Sequence, residues 1–397
     1  MKSDFVFTSE SVSAGHPDKL CDLISDAIVD KFLRADPFSR VVAESAVANG
    51  VIFISARFVS KASVDIPQTA RDMIQKVRYT GSDFNATDCS ILTNFNEMPS
   101  ERYVTVDETT LPEQDFDQFT AENHATVFGF ACNQTANLMP LPIHLAHGIV
   151  KQLDSLRLQN KLDYLIPDAT AQVAVEYRDR KAYRVHSINL ITAHHKLDES
   201  GLETMGEDII EQVFKPVIEP EDIRFDNKTR VFINPGGPVT KGGPAVHSGL
   251  TGRKNATDTY GQYCRHSGAA LSGKDPTRID RTGNYIARYA AKNIVAAGLA
   301  DECEVQLSYT IGQAQPVSIQ VETFGSGKVD DTHLANMLEQ HFDFRPAAII
   351  ARFNLRHLPA MTEDGFYQKL ASYGQFGRSE LGLPWEETDK VETLKGS

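Results

Sequence analysis

Apolar residues recur along this chain at two spacings, and the switching between them sets its organisation. Behind Pro17, the positions Leu20, Leu23, Ile24, Ala27, Ile28 and Phe32 fall three and four apart, which predicts a helix over about 17–35. Two β-rich runs follow, Arg40–Ala48 and Gly50–Val59. Next come a helix at about 65–79, opened by Ser63-Val-Asp-Ile-Pro67, and a strand at Cys89–Phe95. The order then repeats. A helix near 140–158 precedes a hairpin of Gln172–Tyr177 and Ala182–Thr192, turned by Arg178-Asp-Arg-Lys181. A helix at about 200–217 carries Leu202, Met205, Ile209, Ile210 and Val213 at helical spacing and leads to a strand at Arg230–Asn234. The third pass has a helix at about 280–298 and a hairpin of Glu304–Ile311 and Gln315–Glu322. It closes with a helix at about 331–342 and a strand at Ala347–Asn354. Three αββαβ passes predict an α/β (α+β) chain of three related units, each a sheet covered by helices on one face.

Two stretches break the pattern. Residues 96–122 are polar, acid-rich and without period, as an active-site lid or a disordered segment would be. Residues 235–280 are rich in Gly, Ser, Thr and charge, too polar for core and too glycine-rich for regular elements, and read as a site. The tail holds the only tryptophan, Trp385, beside Pro384, and that indole is expected to anchor the C-terminus in the core.

Composition narrows the class. With 41% hydrophobic and 23% charged residues the chain reads as an ordinary globular protein. Its net charge of −13 argues against general nucleic-acid or membrane-surface binding. There is no apolar signal core and no stretch long enough to span a bilayer. Cys21, Cys89, Cys132, Cys264 and Cys303 are scattered and form no CxxC pair. That speaks against a zinc site or disulfide framework and for a reducing compartment. A cytoplasmic location is expected.

Candidate chemistry gathers at two places. Gly15-His16-Pro17-Asp18-Lys19 joins a glycine turn to a helix start, where free N–H groups and the dipole favour anions. A cation beside a carboxylate suits one phosphate oxygen and one Mg²⁺, although a capped surface helix would look the same in isolation. In the second irregular stretch, Lys241, Arg253, Lys254, Lys274 and Arg278 lie among glycines with His247 and His266, as in a polyanion pocket or a solvated loop. Gly273-Lys274 is not a P-loop, because GxxxxGK[ST] is incomplete. Asp275 and Asp280 are candidates for a second Mg²⁺ ligand. No nucleophile triad or HExxH motif stands out. The residues alone point to magnesium-dependent handling of a nucleotide or polyphosphate.

Phe7-Thr-Ser-Glu-Ser-Val-Ser-Ala-Gly-His-Pro-Asp-Lys-Leu20, LTGRK at 250–254, SGKDP at 272–276, KNIVAAGLA at 292–300 and the closing PWEETDK together resemble the S-adenosylmethionine synthetases. The resemblance implies three pseudo-threefold-related domains, here 1–102, 123–232 and 233–397, with a gating loop or linker at 103–122. It implies a homodimer with active sites between subunits, often paired into tetramers. The reaction it implies is attack of a thioether sulfur on C5′ of ATP, with release and hydrolysis of the triphosphate. Carried over by motif, His16 sits at the C5′–triphosphate bridge, and Lys19, Arg253, Lys254 and Lys274 face the phosphates. Asp168 and Ala270 lie along the nucleotide, Asp18 and Asp280 bind two Mg²⁺, Glu44 binds K⁺, and Glu10 is an active-site acid.

The departures from the family cluster where the thioether is expected. Arg57 stands for a Glu, Asn123 lies in a replaced GDQG turn, and His247 stands for an Asp. Met98 falls at or near a Gln, and Arg278 stands for a Lys. Each acid expected beside the methionine ammonium has become neutral or basic, and an unpaired buried ammonium would cost several kcal/mol. On the nucleotide side, Pro238-Val239 replaces an Arg-Phe pair and Thr170 a Lys. The chain is therefore expected to make an S-adenosyl sulfonium from ATP and methionine or a methionine-like thioether. The alternatives are the same chemistry on an acid without the ammonium, such as 4-methylthio-2-oxobutanoate, a catalytically weak regulatory homologue, or a triphosphatase without alkyl transfer.

Overall fold

The computed structural model describes residues 4–103 and 105–396; Val104, inside the expected gating loop, lies outside the described residues. The first pass runs β1 (Phe5–Val12), α1 (Pro17–Ala35), β2 (Arg40–Ala48), β3 (Val51–Val59), α2 (Ile66–Val77) and β4 (Ser90–Glu97). The second runs β5 (Ala125–Cys132), α3 (Leu141–Leu158), β6 (Leu165–Arg178), β7 (Lys181–His194), α4 (Glu199–Ile209) and β8 (Arg230–Ile233). The third runs β9 (Gly249–Leu250), α5 (Ile279–Ala296), β10 (Glu302–Tyr309), β11 (Ser318–Glu322), α6 (Asp331–His341) and α7 (Pro346–Phe353). The three main sheets have the orders β9-β2-β3-β4, β1-β6-β7-β8 and β11-β10-β5.

Each pass thus opens with a strand that leaves for the next unit's sheet in a closed cycle. β1 pairs antiparallel with β6, from Phe5 opposite Tyr177 to Val12 opposite Thr170. β5 pairs with β10, and β9 with β2. The hydrophobic pattern does not announce these strands. The inward positions of β1 are Phe5, Phe7 and the buried serines Ser9 and Ser11, the serines satisfied by Gly261 O and His147 Nδ1 at 2.7 Å each. β5 carries Gly129 in mid-strand, which reads as a breaker. A Cβ there would lie 1.9 Å from the Ala287 carbonyl carbon, so the glycine is what lets α5 lie on the strand.

One expected strand is corrected. Ala347–Asn354 lies in helix α7 and its cap, not in a strand. Pro346 presets the first turn, and Asn354 closes the helix in the left-handed conformation at φ 52°. The apolar run Ala347, Ala348, Ile349, Ile350 and Phe353 wraps a helix buried on most sides, for which strand and helix patterns coincide. Trp385 is fully buried, stacked on Tyr285 at 3.8 Å, and its Nε1 donates to Gln375 O at 3.1 Å.

The acid-rich stretch is docked over much of its length. Arg356 donates to both oxygens of Glu108 at 2.6 and 2.7 Å, and both residues are buried. Phe116 packs on Ala347 and Ala348, while Tyr103 Oη donates to Asp36. Removing one partner of such a pair strands a charge, so Arg356→Met is expected to lower the unfolding free energy by about 3–5 kcal/mol. It should also expose residues 107–119 to protease; urea unfolding and limited proteolysis check both, and unchanged values would show that the pair holds nothing.

Candidate active site

Four residues join β1 to α1, and their turn admits no side chain at Gly15, where a Cβ would lie 1.3 Å from Pro167 O. Tyr79 Oη clamps the turn by donating to the carbonyls of Gly15 and Pro167. His16 caps α1, its Nδ1 accepting the Asp18 N–H at 3.2 Å. In the neutral ring that leaves Nε2 as the protonated nitrogen. Burial pushes the His16 pKa down to about 4, against the pull of Asp168 and Asp18.

Asp18 is buried under two cations. Its Oδ1 accepts the Leu250 N–H at 3.0 Å and meets Arg253 Nε at 2.8 Å. Its Oδ2 lies 3.3 Å from Lys254 Nζ and has no hydrogen-bond partner. A buried carboxylate oxygen without a donor is an open ligand position for a hard cation. Lys19 requires correction: it does not face this site. Its side chain is fully buried, and Nζ is held by Asp22 at 2.9 Å and by Asp258. It follows Asp18 in sequence, and the helix turns it inward, onto Asp22 and Asp258.

Asp168, at the start of β6, takes two hydrogen bonds on Oδ2, from Gly243 N at 2.7 Å and His247 Nε2 at 3.0 Å. His247 tilts over His16 with ring centroids 4.9 Å apart. Polar atoms of His16, Asp168 and His247 come within 4.8 Å of one another. His16 offers that trio an N–H and not a lone pair, so hydrogen bonding fits it better than a metal. Ala270 lies against Gly252, where a Cβ would come within 2.3 Å of its own. A cavity of about 250 Å³ adjoins Arg253 and Lys254, with Glu10, Asn255, Gln262 and His266 in its wall.

A second group forms at the far end of β2. Lys274 bridges to Val42, and its Nζ donates to Asp280 Oδ2 at 2.8 Å. Asn123 Nδ2 donates to Asp280 Oδ1 at 3.2 Å, while Asn123 Oδ1 is buried without a partner. Glu122 pairs with Arg40 and lies 4.0 Å from Arg278. Arg57 pairs with Val42 and Asn96, and Met98 N donates to Phe58 O at 2.8 Å. Glu44 and Arg57 share the outer face of this sheet. Among the described residues, no hydrogen bond or ion pair joins this group to the first. The structure therefore brings together Arg57, Met98, Asn123 and Arg278 but puts His247, expected with them, beside Asp168.

Three family models match nearly the whole chain: the N-terminal domain of S-adenosylmethionine synthetase over residues 4–100, the central domain over 118–239 and the C-terminal domain over 241–387. The chain belongs to the S-adenosylmethionine synthetase family. It is 46% identical over 409 residues to the S-adenosylmethionine synthase of Synechococcus elongatus, covering 100% of this chain and 98% of the relative. Those of Nostoc punctiforme and Trichodesmium erythraeum are 46% and 45% identical, over 100% of this chain and 96% and 97% of their own lengths.

Sequence reasoning missed Glu122, Tyr79 and Asp258. Glu122 could have been found, because a new acid stands next to the lost one in the replaced GDQG turn. The other two meet the site only through tertiary contact. The two active-site histidines should titrate apart. His16 is expected to stay neutral down to about pH 4, and His247 to hold its proton above the usual 6.5 because it bonds Asp168. His16 then costs stability as pH falls from 6.5 towards 4, since the unfolded chain binds the proton first; His247 contributes stability below 6.5 that is lost as pH rises through its folded pKa. Ring-proton NMR checks this, and coincident titration near 6.5 would contradict it.

Proposed function

We propose that this chain, of the methionine adenosyltransferase type, joins the adenosyl group of ATP to the sulfur of methionine or a methionine-like thioether and releases phosphate and pyrophosphate. The observation that carries the reading is the buried Asp18 carboxylate, its Oδ1 on Arg253 and its Oδ2 without a hydrogen bond 3.3 Å from Lys254 Nζ. It is matched by a second cation–carboxylate pair, Lys274 and Asp280. Displacement of a triphosphate needs dense positive charge where the leaving oxygen gains its own. Arg253, Lys254 and Lys274 supply that charge, and neutral His16 can donate from Nε2 to the bridging oxygen. Asp18 and Asp280 would hold two Mg²⁺ and Glu44 a K⁺. Mg²⁺, when bound, adds charge neutralisation at the phosphates.

The working unit we propose is a homodimer, with further pairing to a tetramer open, in which each site takes the first group from one copy and the second from its partner. Support comes from the outer face of the first sheet, where Val51, Phe53, Leu92 and Leu250 are exposed together, with Glu44 and Arg57 at one end. Apolar faces of this kind mark interfaces.

A second reading of the substrate is favoured by one observation. Among the described residues, the acids on the Asp280 side of the second group are already engaged: Lys274 and Asn123 hold Asp280, and Glu122 pairs with Arg40 and lies 4.0 Å from Arg278. With Arg57 beside them, the subsite favours a carboxylate over an ammonium. A thioether acid such as 4-methylthio-2-oxobutanoate would fit. Incubation with ATP, Mg²⁺ and each thioether, followed by mass spectrometry of the sulfonium and phosphate release, decides. The second reading expects higher kcat/KM for the deaminated acid. Higher kcat/KM for methionine would overturn it, and phosphate release independent of any thioether would overturn the adenosyl-transfer reading.

A further inference from the structure

Both donors to Asp168 Oδ2, the Gly243 N–H and the His247 imidazole, come from a single turn at 243–247. The turn is closed by Val246 N and His247 N bonding Gly243 O at 2.9 and 3.2 Å. Gly243 sits at φ +71°, and a Cβ there would lie 2.2 Å from Tyr79 Oη, so the turn is seated on the same tyrosine that clamps Gly15 and Pro167. From the other side, the Ser13 N–H donates to Ala169 O at 2.9 Å and Ser13 Oγ accepts the Ala169 N–H at 2.9 Å. Asp168 is thus fixed in backbone and in one carboxylate oxygen. Among the described residues nothing hydrogen-bonds its other oxygen.

A carboxylate with one oxygen clamped and one free presents a single aimed acceptor. We infer that His247 is a positioning residue for the nucleotide: it holds Asp168 so that Oδ1 meets a hydroxyl or amino group of the nucleoside. The inference rests on the ATP-dependent reading above. His247 is the outermost member, its side chain 39% exposed against 12% for Asp168 and 10% for His16, so it forms the wall past which a nucleotide enters. The charged and titratable groups around it are Asp168 on β6, His16 and Asp18 at the start of α1, Arg253 and Lys254 on its own loop, and Tyr79 beneath. Its charged form is favoured by Asp168 and Asp18 and opposed by Arg253 and by burial. A protonated His247 strengthens the clamp and adds positive charge on the side where a triphosphate would lie.

The test compares His247→Ala, His247→Gln and His247→Asp with the parent chain. KM for ATP and for the thioether are measured, together with calorimetric binding of a non-hydrolysable ATP analogue with Mg²⁺. Loss of a hydrogen bond to a charged group is expected to weaken ATP binding about tenfold in His247→Ala, with thioether KM and kcat within about twofold. Gln can donate to the same oxygen and should restore most of the affinity. Asp accepts and cannot donate to Asp168, so it should not restore the affinity as Gln does. The ATP affinity of the parent should rise relative to His247→Gln as pH falls through the His247 pKa. An unchanged ATP affinity in His247→Ala, or a shift in thioether KM without one for ATP, overturns the inference. If the parent turns over no thioether, the reading above fails, while binding of the ATP analogue still tests this one.

Discussion

The exchange of opening strands among the three sheets is the constraint on which the site depends. β1, β5 and β9 each belong in sequence to one unit and hydrogen-bond into another, so none of the three main sheets is complete without a strand from another unit of the same chain. The chemistry-bearing residues lie just beyond the ends of these strands. His16 and Asp18 follow β1, Glu122 and Asn123 precede β5, and His247 and Arg253 flank β9. A strand end held by a foreign sheet cannot drift with its own unit, and that fixes groups from distant segments in one frame.

Buried charge reinforces the frame. Beneath Asp18, Lys19 is locked between Asp22 and Asp258, and Arg281 pairs with Asp26 one turn further along α1. Desolvation of these carboxylates raises the pKa of Asp22 and Asp26, and the cations in direct contact, with the Gly252 and Gly273 N–H groups, offset part of it. Such pairs contribute little net stability, but breaking one leaves a stranded charge, so they penalise any displacement of the helix that carries His16 and Asp18.

Much of this was legible in the sequence. The start of α1 was, because Gly15, Pro17 and the apolar spacing behind them are local signals. The triple pass was too, apart from α7, where an aliphatic run between Pro346 and Asn354 fits a buried strand as well as a buried helix. β1 and β5 were not, since buried serines and a mid-strand glycine replace the expected aliphatics. Lys19, expected at the phosphates, is held by Asp22 and by Asp258, a partner 239 residues later that the sequence does not announce. His247 was expected at the thioether by resemblance, and its contact with Asp168, made by a turn seated on Tyr79, is not announced in the sequence. Residues whose partners are local could be placed from sequence, and those whose roles are set by distant partners could not.

The central claim is that the two groups, around Asp18 and around Asp280, form one site only across two copies of the chain. Subunit complementation tests it most directly. Asp18→Asn disables the first group and Lys274→Ala the second, and each variant alone should be nearly inactive. Unfolding and refolding them together should restore about a quarter of parental activity, since half of randomly paired dimers would be mixed and each would hold one intact site. A mixture as inactive as its components, with mixed dimers demonstrated by native mass spectrometry, would contradict the account.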